Sequence, residues 1–281
     1  MPVPKPGYRT AEQDPRHRRD TDRPVRQRRD ITWTTGELRG YAVQGTDGAI
    51  GHVSDFYFED QRWTIEYMVV DTGPWLLGRQ VLLAATALGR PITGERSITV
   101  SLTKKQIQNS PDIDLKRPVS RQHMLDLHSY YGWPLPIYWG NMAIPGQPVI
   151  GVYPTYPPAE TPPKHRTRDQ GADPHLQSTR ELEGYHLHAT DGRIGHVDDF
   201  YIDEERWTIR YLLVDTKDWL PGRKVLIAPE WIERIRWAES EVRTRLTREE
   251  IRTSPEHDPA SPITHQEEIR LYKHYGHSQS R

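Results

Sequence analysis

Residues 51–72 read GHVSDFYFEDQRWTIEYMVVDT, and residues 195–216 read GHVDDFYIDEERWTIRYLLVDT. The stretch occurs twice, 144 positions apart, and the register extends outward from it without a gap, from Gly40/Gly184 to Gly132/Gly276. Between 40–83 and 184–227, 26 of 44 pairs are identical, so the repeat is a duplicated folding unit rather than a recurring short motif. Within each copy the hydrophobic period is two. Trp63, Ile65, Tyr67 and Val69 alternate with Thr64, Glu66 and Met68, and Trp207, Ile209, Tyr211 and Leu213 follow suit, which predicts a strand with one buried face.

Turn and cap signals complete the unit. Asp47-Gly48 and Asp191-Gly192 predict hairpin turns with positive φ at both central residues. Leu77-Gly78 and Pro221-Gly222 predict a further turn before strands over 80–83 and 224–227, and another strand is expected over 97–102 and 241–246. Thr103 with Gln106, and Thr247 with Glu250, fit capping boxes opening a helix that Ser110-Pro111 and Ser254-Pro255 stop. A second helix runs from 120 or 264 to Gly132 or Gly276, with Leu127 and Tyr131, or Leu271 and Tyr275, on one face. The expected fold is mainly β: two small antiparallel β-barrels, closed or half-closed, each followed by short helices.

Composition divides the chain into four parts: a basic tail over 1–35, disordered or draped, a first unit over 36–132, a linker over 133–179 and a second unit over 180–281. Apolar residues make up only 35% of the chain, and the deficit lies in the tail and the linker. The linker holds ten prolines beside Trp139, Tyr153 and Tyr156, too aromatic for an inert spacer, so part of it is expected to lie against a barrel. The chain has no cysteine, which excludes disulfides and thiol chemistry. No apolar run is long enough for a membrane-spanning helix, and the N-terminus lacks a signal-peptide core, so a cytoplasmic protein is expected. Residues 1–30 carry nine Lys/Arg against five Asp/Glu, and 180–281 carry sixteen against twenty. Neither folded unit has the basic excess of a nucleic-acid binder.

The runs DGAIGHVSDFY at 47–57 and WTIEYMVVDT at 63–72, then LTKKQIQNSP at 102–111 and YYGWP at 130–134, resemble the PRC-barrel family. The resemblance covers about residues 36–139 and 180–277. That family takes in the cytoplasmic domain of the photosynthetic reaction-centre H subunit, the C-terminal domain of the ribosome-maturation factor, and many stand-alone proteins. The resemblance implies a six-stranded antiparallel barrel per unit and a docking role.

The twinned polar residues admit two readings. His52/His196, Asp55/Asp199 and Asp71/Asp215 fit a general base oriented by a carboxylate, or a metal site of one His and two Asp. They also fit turn and strand-end acceptors that any duplicated barrel repeats, and no serine, cysteine or second histidine accompanies them at a useful spacing. The structural reading is favoured, with no catalytic, metal or cofactor-binding residue expected. Trp63 and Trp207 lie in phase with the core. Trp75 and Trp219 follow a turn and are candidate partner contacts, with Trp139, Tyr153 and Tyr156 of the linker. Arg79 and Arg223 are candidates to hold a carboxylate ligand or to pair with Asp71 or Asp215. Glu66 and Arg210 occupy equivalent positions with opposite charge, which fits a salt bridge between units packed about a twofold axis as a pseudo-dimer, or independent drift of two surface positions, the reading favoured by how little an exposed ion pair contributes. The leading expectation is a non-enzymatic interaction or scaffold protein whose partner is another protein. The alternatives are an H-subunit-like accessory subunit at the inner-membrane periphery, and a hydrolase or isomerase using a His-Asp pair.

Overall fold

In the computed structural model, which describes residues 30–111, 121–134, 175–216 and 223–276, both repeats lay down the same run of elements. The first holds β1 (Trp33–Thr34), α1 (Thr35–Leu38), β2 (Ala42–Gly45), β3 (Gly48–Glu59), β4 (Thr64–Asp71), β5 (Gln80–Ala84), β6 (Leu88–Ile92), β7 (Ser97–Val100), α2 (Lys104–Gln108) and α3 (Arg121–Tyr131). The second holds β8 (Leu176–Ser178), α4 (Thr179–Leu182), β9 (His186–Ala189), β10 (Gly192–Asp203), β11 (Thr208–Asp215), β12 (Lys224–Ile227), β13 (Ile232–Arg236), β14 (Glu241–Thr244), α5 (Arg248–Arg252) and α6 (His265–His274). The protein is mainly β.

The strands form one mixed, 14-stranded sheet rather than two closed barrels. In the first repeat the ladder runs β5, β4, β3, β2, β7, β6, and no ladder joins β5 to β6 among the described residues. A 3-10 turn over Ala85–Ala87 separates these two strands in place of a hairpin. β6 also carries Pro91, which has no amide to give a further neighbour, and β13 in the second copy presents Glu233 and Arg234 as exposed charges. The expectation of a wholly antiparallel sheet fails as well. β2 pairs parallel with β7 and β9 with β14, because of the four strands between them two successive ones, β5 and β6 or β12 and β13, run in the same sense.

Two β-bulges correct the simple alternation. Tyr57 opposes Tyr67 and Phe58 opposes Ile65, so Glu66 is the extra residue of β4, and Arg210 is its counterpart in β11. The bulge reverses the facing of the strand. Ile65, Met68 and Val70 join the main core, whereas Tyr67 and Val69 turn to the other face and pack with Met124 and Leu127 of α3. Leu271 and Tyr275 are buried in the second copy, and the Thr103/Gln106 and Thr247/Glu250 capping boxes both form. At Asp47-Gly48 only the glycine has positive φ, and the Asp47 carboxylate takes the Lys104 amide at 2.7 Å to start α2. Gly51 and Gly195 are required by close approach, since a Cβ there would lie 2.0 Å from the Asp71 or Asp215 carbonyl oxygen.

The repeats share one core and exchange their N-terminal arms. β1, before the first repeat, pairs with β10 of the second, while β8, before the second, pairs with β3 of the first. Residues 31–34 and 175–179, read from composition as tail and linker, are therefore seated structure. Ile31 and Trp33 are buried, and Ile31 bridges to Ile263. At the centre of the seam Ile65 N donates to the Trp207 carbonyl at 2.7 Å and Ile209 N to the Trp63 carbonyl at 2.8 Å. Trp63 and Trp207 hold φ of +58° and +51°, a left-handed conformation that costs about 1–3 kcal/mol for a bulky residue. Stacking of Trp63 on Phe58 and of Trp207 on Phe56, with the reciprocal carbonyl bonds, offsets that strain.

Candidate functional site

Asp55 and Asp199 lie where the arms cross. Asp199 Oδ1 accepts the Thr35 hydroxyl and the Gly36 amide, both at 2.9 Å. Asp55 accepts the Ser178 hydroxyl at 2.5 Å, the Thr179 hydroxyl at 3.0 Å and the Arg180 amide at 3.3 Å. Each aspartate thus holds the one-turn helix that opens the other repeat. Between them the Arg39 guanidinium meets Glu183, with Asp55 3.9 Å away.

The twinned histidines share one register position, opposite Asp71 or Asp215, but differ in their surroundings. His52 opposes Asp71 and is exposed, and Ser54 occupies the position that Asp198 has in the second copy. His196, Asp198 and Asp215 gather ligand atoms within 4.8 Å of one another, and Lys224 Nζ is 2.7 Å from Asp198 Oδ2, so an ammonium already neutralises that carboxylate. Asp71 accepts the Gly73 amide at 2.9 Å, closing the turn after β4.

Other sequence candidates fall as follows. The Trp75 indole N–H donates to the Ile50 carbonyl, and Lys104 Nζ sits 4.6 Å above its ring, so Trp75 is half-covered. Leu77, at the tip of the same turn, is 98% exposed. Trp219, Trp139, Tyr153 and Tyr156 lie outside the described residues. Arg79 reaches the Ser110 and Pro111 carbonyls at 2.8 and 2.6 Å, and Arg223 reaches those of Arg252 and Ser254, so both guanidinia tie the chain beyond α2 or α5 to the sheet. Arg210 pairs with Glu268 of α6 at 3.3 Å, and among the described residues an oppositely charged equivalent pair that does meet across the repeats is Arg39 and Glu183.

No protein-family model matches the chain, and no curated protein matches it. Function has to be read from the residues themselves. Among the described residues no helix is long and apolar enough to cross a membrane.

Sequence reasoning missed a groove of about 540 Å³ that both repeats line, with Asp60, Arg62, Trp63 and His175 on one wall and Ile232 and Glu233 on the other. Glu59, Asp60 and His175 bring ligand atoms within 4.8 Å of one another at its edge. His175 Nδ1 lies 3.0 Å from Asp60 Oδ1. Glu59 is fully buried; burial, with the neighbouring Asp60 charge, pushes its carboxyl above the ordinary carboxylate value, against the amide bonds and His175 that pull it down. A signal for this corner existed. The 144-residue register continues back through Leu38/Leu182 to Ile31/His175, which would have returned His175 from the linker to the folded unit.

Buried polar groups outside the seam serve the helices. The Tyr67 hydroxyl lies 2.5 Å from His128 Nε2, and His128 Nδ1 lies 2.7 Å from the Pro134 carbonyl. A carbonyl only accepts, so Nδ1 carries the proton and Nε2 accepts from the tyrosine. In the second repeat His257 bridges Glu267 at 2.7 Å and the Tyr201 hydroxyl at 2.8 Å, a His-carboxylate-hydroxyl set whose imidazole and hydroxyl are buried.

Proposed function

We propose that this chain is a non-enzymatic interaction or scaffold protein of the cytoplasm, built from two PRC-barrel-like repeats and presenting its surface to a partner protein. The observation that carries the reading is the use of Asp55 and Asp199. The carboxylates best placed by sequence for acid-base work are consumed by hydroxyl and amide donors of the opposite repeat, with none directed at a cleft. In the Tyr201–His257–Glu267 set, which has the composition of a hydroxyl activation relay, the hydroxyl and the imidazole are both buried. The resemblance of 36–139 and 180–277 to docking barrels supports the same reading. So does the turn that displays Leu77 and half-exposed Trp75, an apolar projection suited to a partner's pocket.

The test is crosslinked affinity recovery from native lysate with the intact chain and with Leu77→Asp, a change at a solvated tip that leaves the core untouched. One stoichiometric protein recovered by the intact chain and lost with Leu77→Asp is the expected result. Recovery of nucleic acid alone refutes the reading, and equal recovery of a protein by both chains refutes the part given to the Leu77 turn.

A further inference from the structure

We infer that Glu59, Asp60 and His175 form a binding site for a divalent transition cation of the zinc type, which staples the second repeat's arm to the first repeat. Backbone pairing sets the geometry before any ion arrives. Glu59 ends β3, where it opposes Leu176 of β8, and the Asp60 amide donates to the His175 carbonyl at 3.0 Å. Three ligand-bearing side chains from two repeats are thereby held at adjacent positions.

The second observation is an unmet acceptor. Glu59 Oε2 takes the Arg62 amide at 2.7 Å, but Oε1 is buried without a hydrogen-bond partner. A buried carboxylate oxygen left unmatched is costly, and a cation shared with Asp60 and His175 satisfies it. One imidazole nitrogen with two carboxylates is a donor set that suits zinc, and the groove beside Asp60 and His175 leaves room for water at the remaining position.

The duplicated copy supplies an internal control. Asp203 stands where Glu59 stands, one methylene shorter, and its oxygens are used by the turn: Oδ1 takes the Glu205 and Arg206 amides at 2.9 and 3.1 Å, and Oδ2 meets the Arg206 guanidinium at 3.3 Å. Ile31 stands where His175 stands, against Ile263. A turn at this place therefore needs neither a buried free oxygen nor a histidine. The first copy has both, on opposite sides of the arm crossing.

Isothermal titration of the metal-stripped full chain with Zn²⁺ tests the site. The expected result is one binding event that weakens by at least about tenfold in both Glu59→Gln and His175→Ala, the lower end seen when even outer-shell groups of a metal site are disturbed. The same event should survive His196→Ala, which removes the other His/carboxylate cluster. His175 has a 30% exposed side chain, so its alanine variant remains folded even if Glu59→Gln does not. Zn²⁺ should also raise the melting temperature of the intact chain and not that of His175→Ala. An intact chain that takes up no Zn²⁺, or an isotherm unchanged by His175→Ala, overturns the assignment.

Discussion

Arg39 and Glu183 occupy the same position of the two repeats, 144 residues apart, and their side chains meet: Nη1 donates to Oε2 at 2.9 Å and Nη2 donates to Oε1. Duplication has here produced what a homodimer cannot. Two identical subunits would place like charges at this position, whereas a fused pair can diverge to opposite ones.

The pair is mostly covered, with side chains 18% and 24% exposed, so it falls between the surface and buried regimes. Arg39→Glu sets a second carboxylate against Glu183 beside Asp55 and Asp199, and should lower unfolding stability by about 1–3 kcal/mol. Adding Glu183→Arg should recover most of that loss, because an arginine at 183 gains Asp199 as Arg39 has Asp55. Guanidinium titrations of the single and double variants measure it. A swap no more stable than Arg39→Glu would show the pair to be incidental.

Asp199→Ala tests the arm exchange. It leaves the buried Thr35 hydroxyl and the Gly36 amide without their acceptor, at a cost of about 1–3 kcal/mol. The loss should be local first: β1 and α1 detach from β10, and limited proteolysis cuts near 30–38 faster than in the intact chain. Asp199→Asn retains one carbonyl acceptor and should slow that cleavage again. Unchanged cleavage in Asp199→Ala would mean that β1 pairing and the burial of Trp33 hold the arm alone.

The sequence carried the repeat, the strand positions, the caps and the helical faces, because each is a local pattern of side-chain type. It did not carry the bulges at Glu66 and Arg210, since one extra residue in a strand leaves the surrounding alternation intact on paper while turning Tyr67 to the opposite face. The same bulges explain why opposite charge at 66 and 210 did not identify the axial pair. β4 and β11 meet at Thr64 and Thr208, and Arg210 turns to Glu268 instead. The arm crossing was hidden because β1 and β8 are two and three residues long and abut segments of tail-like composition. His175 was lost with them.

His128 gives a pH dependence with a definite sign. Burial pushes its imidazole below the ordinary value of 6.5, against the opposing hydrogen bonds to the Pro134 and Trp133 backbone. The unfolded chain therefore binds the proton more readily than the folded one. Stability from this group is complete above about pH 6.5 and is lost as pH falls toward the folded value, at up to about 1.4 kcal/mol per pH unit. Melting temperatures of the intact chain and His128→Gln between pH 7.5 and 5 should diverge at the high end and converge at the low end. Parallel curves would place the acid sensitivity elsewhere.

Expressing residues 30–134 and 175–281 as separate chains tests the shared core. Each half alone exposes its side of the seam, Phe56 and Phe58 in one and Phe200 and Trp207 in the other, and carries an arm whose strand partner is missing. Self-association would satisfy the apolar seam but set Arg39 against Arg39, or Glu183 against Glu183 beside Asp55-type carboxylates, so each homodimer is penalised where the mixed pair is favoured. Native mass spectrometry of the mixed halves should show a 1:1 complex in preference to either homodimer. Arg39→Glu in the first half should shift the mixture away from the mixed pair, since both halves then present a carboxylate at the axis. If both halves instead remain folded monomers when mixed, the seam is a contact between independent domains rather than a core that neither repeat completes alone.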